Sequence, residues 1–135
     1  MSVVVAYMPS PQGRAALAAA VKEALARKTD LVVAAHVYLS DDGTFVSSDE
    51  AHVKEEIASL ALAGAQEVPL RVVSSLEEDA GEFIVRVAQS SDAERIVIGL
   101  RRKSRIGKLS LGAAAQRVIV EGTCPVLAVK DGAPE

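Results

Sequence analysis

The stretch SVVVAYMPSPQGRAALAAAVKEALAR, residues 2–27, decides the fold. Val3-Val4-Val5-Ala6 is a continuous apolar run rich in β-branched residues and closed by Pro9. A strand apolar on both faces belongs in the middle of a parallel sheet, with helices covering each side. Ser10-Pro11 then supplies an N-cap and a proline at the first helical position, where its missing N–H costs nothing. The segment through Arg27 is alanine-rich, with Leu17, Ala20, Val21, Ala24 and Leu25 on one stripe. The chain opens as a buried strand followed by a helix.

That unit recurs. Leu31 to Val37 reads as a second buried strand, followed by a polar loop, Ser40 to Ser48, with Asp41-Asp42-Gly43 as turn residues. Ser47 and Glu50 have the spacing of a capping box, and the helix after them is expected to bury Val53, Ile57, Leu60 and Ala61 and to end near Gly64. Val68 to Val73 is a third strand, whose Pro69 marks a sheet edge or a start just after it. Glu77 to Ser90 is a third helix, acidic in its first turn, with Phe83, Ile84, Val87 and Ala88 inward. Arg95 to Gly99 is a fourth strand, Gly112 to Glu121 a helix, and Pro125 to Val129 a fifth strand. Alternating strands and helices imply a single-domain α/β fold, a doubly wound parallel five-stranded sheet with helices on both faces. Ligands of such sheets sit beyond the carboxyl ends of the strands, at the switch point.

Composition narrows the classes. The 135 residues carry 15 Lys+Arg against 18 Asp+Glu, a net charge of −3, and half are hydrophobic while 3% are aromatic. A chain this apolar and this weakly charged is folded, and its length suits one core. No run of about 18 uncharged apolar residues exists to span a membrane. The first residues lack a basic segment and a signal-length apolar stretch, so a cytoplasmic location is expected. The lone Cys124 allows no internal disulfide and no cysteine-rich metal site.

Ile96-Val97-Ile98-Gly99, a basic loop, Lys108-Leu109-Ser110-Leu111-Gly112 and Cys124-Pro125-Val126-Leu127-Ala128-Val129 together resemble the universal stress protein family. The opening Val-Val-Val-Ala-Tyr, the His36-Val37 pair and Asp92 to Gly99 are similar to it as well, so the resemblance covers residues 1–130 and leaves 131–135 as a tail. It implies a strand order of 3-2-1-4-5 and a cytoplasmic, non-catalytic regulator of the stress response. It also implies a homodimer joined through the last strand, here Val126, Leu127, Ala128 and Val129. Pairing of that strand has a physical rationale too, since an apolar edge without protecting charge is an aggregation hazard.

Members that bind ATP carry a glycine, two residues, a second glycine, nine residues, a third glycine and then Ser or Thr. Here the first and third positions are Gly99 and Gly112, the second is Arg102, and the hydroxyl position is Ala113. The aspartate that follows the first strand in those members is Met8 here. A hydroxyl lost from a charged acceptor costs about 1.5–3 kcal/mol, and a lost carboxylate acceptor a similar amount. The resemblance thus implies a degenerate adenine-nucleotide or anion cleft of Ala6, Met8, Val37, Gly99, Arg101, Arg102, Gly112 and Ala113, with weak AMP or ATP binding. Val37 and Met8 would flank the base, and the Gly112-Ala113 amides would face phosphate. Two alternatives within the family are a typical ATP-binding sensor and a small ATPase or autophosphorylating protein.

Residues 101–108 hold five cations in eight positions, which reads as an anion site or as a solvated loop. With a negative total charge and no aromatics among those cations, nucleic acid is not an expected partner. Gly107-Lys108 precedes Gly112-Ala113-Ala114 in the wrong order for a Walker loop, and no Gly-x-Gly-x-x-Gly follows the first strand. His36 ends a strand near the ligand edge, whereas His52 is expected on a solvent face. The two histidines make no metal site, and Cys124 is expected to be a buried inert thiol. Ser10, Ser104 and Ser110 lie near the cleft without a histidine–carboxylate pair to activate them. No catalytic constellation is present.

Overall fold

The computed structural model describes residues 1–39, 41–46, 48–75, 79–102, 109–110 and 112–130, with the backbone alone at 38–39, 45–46, 101–102 and 109–110. In chain order the elements are β1 (Ser2–Tyr7), α1 (Pro11–Arg27), β2 (Asp30–His36), β3 (Tyr38–Leu39), β4 (Phe45–Val46), α2 (Glu50–Ser59) and a 3₁₀ turn (Ala65–Glu67). They continue with β5 (Leu70–Ser75), α3 (Ala80–Ser90), β6 (Ala93–Arg102), β7 (Leu109–Ser110), α4 (Ala113–Glu121) and β8 (Val126–Lys130). The parallel strands run β5-β2-β1-β6-β8, which is the order 3-2-1-4-5.

Two small pairings lie outside the sequence reading. The antiparallel pair β3–β4 joins the residues just before the polar loop to its second half, and β7 folds back on the end of β6, pairing Arg101 with Ser110 and Arg102 with Leu109.

β1 owes its central place to its valines. Val3, Val4 and Val5 are all fully buried: Val3 and Val5 point into the layer with α1 and α2, and Val4 into the layer with α3 and α4. Each such side chain contributes about 1.5–3 kcal/mol of transfer free energy. Helix α1 begins where its cap places it, with Ser10 Oγ accepting from the Gly13 N–H at 3.0 Å and proline leading the first turn. Its end is set by Lys28, in the left-handed region at φ 54°, whose N–H reaches back to the Ala24 and Leu25 carbonyls. Leu25, expected inward, is half-buried against the same core.

Two local expectations, the cap and the end of the second helix, are corrected. The cap of α2 is Asp49, whose carboxylate accepts from the His52 N–H at 2.8 Å, while Ser47 lies outside the described residues. That helix stops at Ser59: Leu60 is half-buried, and Ala61 turns out to solvent at φ 54°, three residues before Gly64 can act as terminator. Gly64, at φ 80°, instead opens the 3₁₀ turn. The third strand starts at Leu70, with Pro69 just before it offering its carbonyl to the Leu31 N–H at 2.9 Å. Helix α3 is capped by Asp79, and its expected first residues Glu77 and Glu78 lie outside the described residues. Its Phe83, Ile84, Val87 and Ala88 are buried as expected. The tail at 131–135 also lies outside the description.

Candidate functional site

Helices α3 and α4 pack on one face of the sheet and begin at the carboxyl edge of the strands, where β1 and β6 lead off in opposite directions. A cavity of about 210 Å³ opens there. Its floor is Ala6 of β1, Ala34 of β2 and Ile98-Gly99 of β6; Ala80 and Ile84 of α3 form one wall, and Ala114-Ala115 of α4 the other. Tyr7 and the turn residues Met8, Gln12 and Gly13 form the lip, and His36 closes the β2 end. Among the described residues the lining holds no carboxylate, lysine or arginine. Such a surface receives a flat apolar ligand part and offers it few polar contacts.

The turn that makes the lip is set by glycine. A Cβ on Gly13 would stand 1.9 Å from the Met8 carbonyl oxygen, and one on Gly99 would stand 2.3 Å from that of Gln12. The start of α1 therefore lies against β6 more closely than any side chain allows. Ser10 is fully used in this turn: its hydroxyl donates to the Met8 carbonyl at 3.3 Å and accepts from Gly13.

Of the residues drawn from the sequence, Ala6, Met8 and Gly99 come together in the lining, and Met8 is 39% exposed at the mouth. Gly99 has a packing role whether or not a ligand is present. Val37 lies outside the lining, with its N–H given to the Ser75 carbonyl at 3.0 Å. Gly112 and Ala113 are exposed and stand just before the lining pair Ala114-Ala115. Gly112 is the N-cap of α4 and supplies no side-chain cap; its φ of −63° and ψ of 166° suit any residue, and among the described residues a Cβ there meets nothing within 4 Å. Arg101 and Arg102 are placed by backbone at the end of β6, and residues 103–108, with Ser104, lie outside the described residues.

Sequence reasoning missed Gln12, Gly13, Ala34, Ala80, Ile84, Ile98, Ala114 and Ala115 as lining. The available signal was Gly13, a glycine in the first turn of an alanine-rich helix, since such a residue marks a close approach. His36, singled out for its place at the ligand edge, does line the cavity, its ring tilted 50° to Phe83 at 6.0 Å. His52 is exposed on α2. Cys124 is half-buried, and burial pushes its thiol up against the opposing pull of Arg95, which disfavours the reactive thiolate. Tyr7 is 3% exposed, and its hydroxyl has no hydrogen-bond partner among the described residues. Burial, aided by Glu56 and opposed by Arg14, raises its pKa above the usual tyrosine value. Among the described residues, no three His, Cys, Asp or Glu side chains are grouped to hold a metal ion. No helix there is long and apolar enough to cross a membrane.

Residues 1–130 match the universal stress protein family. The chain is 40% identical over 132 residues to a universal stress protein of Mycolicibacterium smegmatis, covering 95% of this chain and 96% of that one. The structure of a universal stress protein from Archaeoglobus fulgidus superposes with a TM-score of 0.69 at 26% identity, over 96% of this chain and 98% of its own. A structure of the Archaeoglobus fulgidus universal stress protein in complex with dAMP gives a TM-score of 0.62 at 23% identity, again over 96% and 98%.

Proposed function

The chain belongs to the universal stress protein family, and from that premise we propose that its cleft holds the base of an adenine nucleotide, weakly, in a non-catalytic regulator of the cytoplasmic stress response. The observation that carries this reading is the apolar cavity at the β1–β6 switch point, which lies where doubly wound sheets take their ligands. The similarly folded protein in complex with dAMP supports the choice of an adenine nucleotide. At about 210 Å³ the cavity is smaller than the roughly 300–1,000 Å³ that encloses a drug-sized ligand, so it takes the base and leaves sugar and phosphate outside. The phosphate then lies toward Gly112 and the first amides of α4, which no side chain caps. Among the described residues the lining holds no carboxylate to accept from the ribose hydroxyls at the mouth, and this keeps affinity in the micromolar-to-millimolar range.

Calorimetric titration with AMP and with ATP, with and without Mg²⁺, tests the reading. One-site binding is expected, and Met8→Asp, which restores an acceptor at the exposed lip, tightens AMP by about tenfold. Absence of heat at millimolar nucleotide, together with an unmoved melting temperature, overturns it.

The second reading is a partner-binding protein whose cleft takes no nucleotide. Gly99 favours it, because packing against Gln12 already accounts for that glycine. Both readings include a homodimer through β8, which pairs with β6 on one side and exposes Ala128 and Lys130. Sedimentation of the wild-type chain at twice 14.1 kDa is the expected result.

A further inference from the structure

Ala80 and Ile84 on one side of the cleft and Ala114-Ala115 on the other belong to two separate helices, so the width of the cleft depends on how α3 is held to α4. Apolar packing seats both helices on the sheet, and among the described residues one side chain adds ion pairs between them. Arg117, one turn into α4, places Nη2 2.9 Å from Glu82 Oε1 and Nη1 3.7 Å from Asp79 Oδ2, both in the first turn of α3 or its cap. Its Nε lies 3.0 Å from Glu121 Oε2 on its own helix, an ion pair without hydrogen-bond geometry. Asp79 is fixed in turn, its carboxylate accepting from the Glu82 N–H at 3.2 Å. The stem of Arg117 is equally confined: a Cβ on Gly81 would stand 3.0 Å from Arg117 Cβ and 3.3 Å from the Ala114 carbonyl oxygen. The two helices thus touch closely where Arg117 crosses, and Ala80 and Ala114 lie within three residues of that crossing.

We infer that Arg117 is a positioning residue for the cleft: by tying the first turn of α3 to α4 it fixes the spacing of the two walls between which the nucleotide base sits. This rests on the nucleotide reading of the cleft. The groups facing the guanidinium are all half-exposed carboxylates, so the tie is screened by salt.

Hydrogen exchange and AMP titration of the wild-type chain, Arg117→Lys and Arg117→Ala test it together. In Arg117→Ala the hydrogen-bonded amides that close the first turns of α3 and α4, from Phe83 and from Gln116 onward, are expected to exchange about three- to tenfold faster, while those of β1 and β2 keep their wild-type rates. AMP weakens by the same order, Arg117→Lys recovers part of both effects, and 1 M NaCl shrinks the difference between the variants. Glu82→Gln, which keeps the side-chain shape, shows the same pattern at smaller amplitude and serves if Arg117→Ala does not fold. Unchanged exchange in those turns overturns the inference, as does an equal rise throughout the sheet or a local rise with AMP affinity unmoved. A wild-type chain that takes up no AMP overturns the nucleotide reading instead, and the exchange comparison still decides whether Arg117 ties the walls.

Discussion

Two turns enter helices at the edge of the cleft, and they are built on opposite terms. The turn from β1 into α1 is closed: Ser10 caps it, proline leads it, and Gly13 and Gly99 let three backbone segments meet at distances no Cβ allows. The turn into α4 is open: Gly112 offers no cap, and its conformation suits any residue. The fold therefore requires the glycines of the first turn, whereas at Gly112 it supplies only the mild preference of an N-cap. A residue that packing and backbone geometry leave free is where a ligand requirement has room to act.

The largest effect expected from this contrast is at Gly99. Gly99→Ala places a methyl 2.3 Å from the Gln12 carbonyl oxygen, which must move with its helix, and thermal or urea unfolding should read a loss of about 3 kcal/mol or more. A stable Gly99→Ala chain breaks the contrast, because the closed turn would then have slack. Gly81→Ala comes next. The helical gain of alanine, about 1 kcal/mol, opposes a 3.0 Å contact with Arg117 Cβ that only backbone movement relieves. A net loss of about 1 kcal/mol is expected by the same measurement, and a gain would show that α3 and α4 yield easily. The smallest stability change is at Gly112, where Gly112→Val gives up the N-cap preference for glycine and should lower unfolding stability by about 0.5 kcal/mol. Its effect belongs to binding: AMP affinity falls by at least about threefold if phosphate lies on those amides, and an unchanged affinity removes Gly112 from the site.

The layers of the fold were legible because burial on two faces leaves a strong trace. Val3 to Val5, Leu31 to Ala35 and Ile96 to Ile98 are unbroken apolar runs, and all sit in central strands. The start of α1 was legible to the residue, since serine and proline each act there through a single local mechanism. The β3–β4 pair was not, although Asp42-Gly43 is a hairpin signal and Asp42 accepts from Thr44 N–H and Oγ1 at 3.0 and 2.6 Å. Two residues on each side give too little alternation to read. The end of α2 was misplaced because an alanine, Ala61, takes the left-handed conformation for which glycine is the usual mark. At the cleft, positions tied to strand ends were found, whereas Ala80, Ala114 and Ala115 were missed. Small residues on helices carry no sign of what they face until the topology brings the helices together.

The burial of β1 has a consequence in time. Its pairing with β2 forms early, but Val3 meets Arg95 and Val5 meets Val97 across more than ninety residues of chain. At the roughly 5–20 residues per second of synthesis, the second flank of β1 waits on the order of 5–20 s for its partner to emerge. During that interval three consecutive valines carry an unpaired row of N–H and C=O groups. The strand that anchors the finished sheet is thus the segment of the nascent chain with the greatest need of shelter.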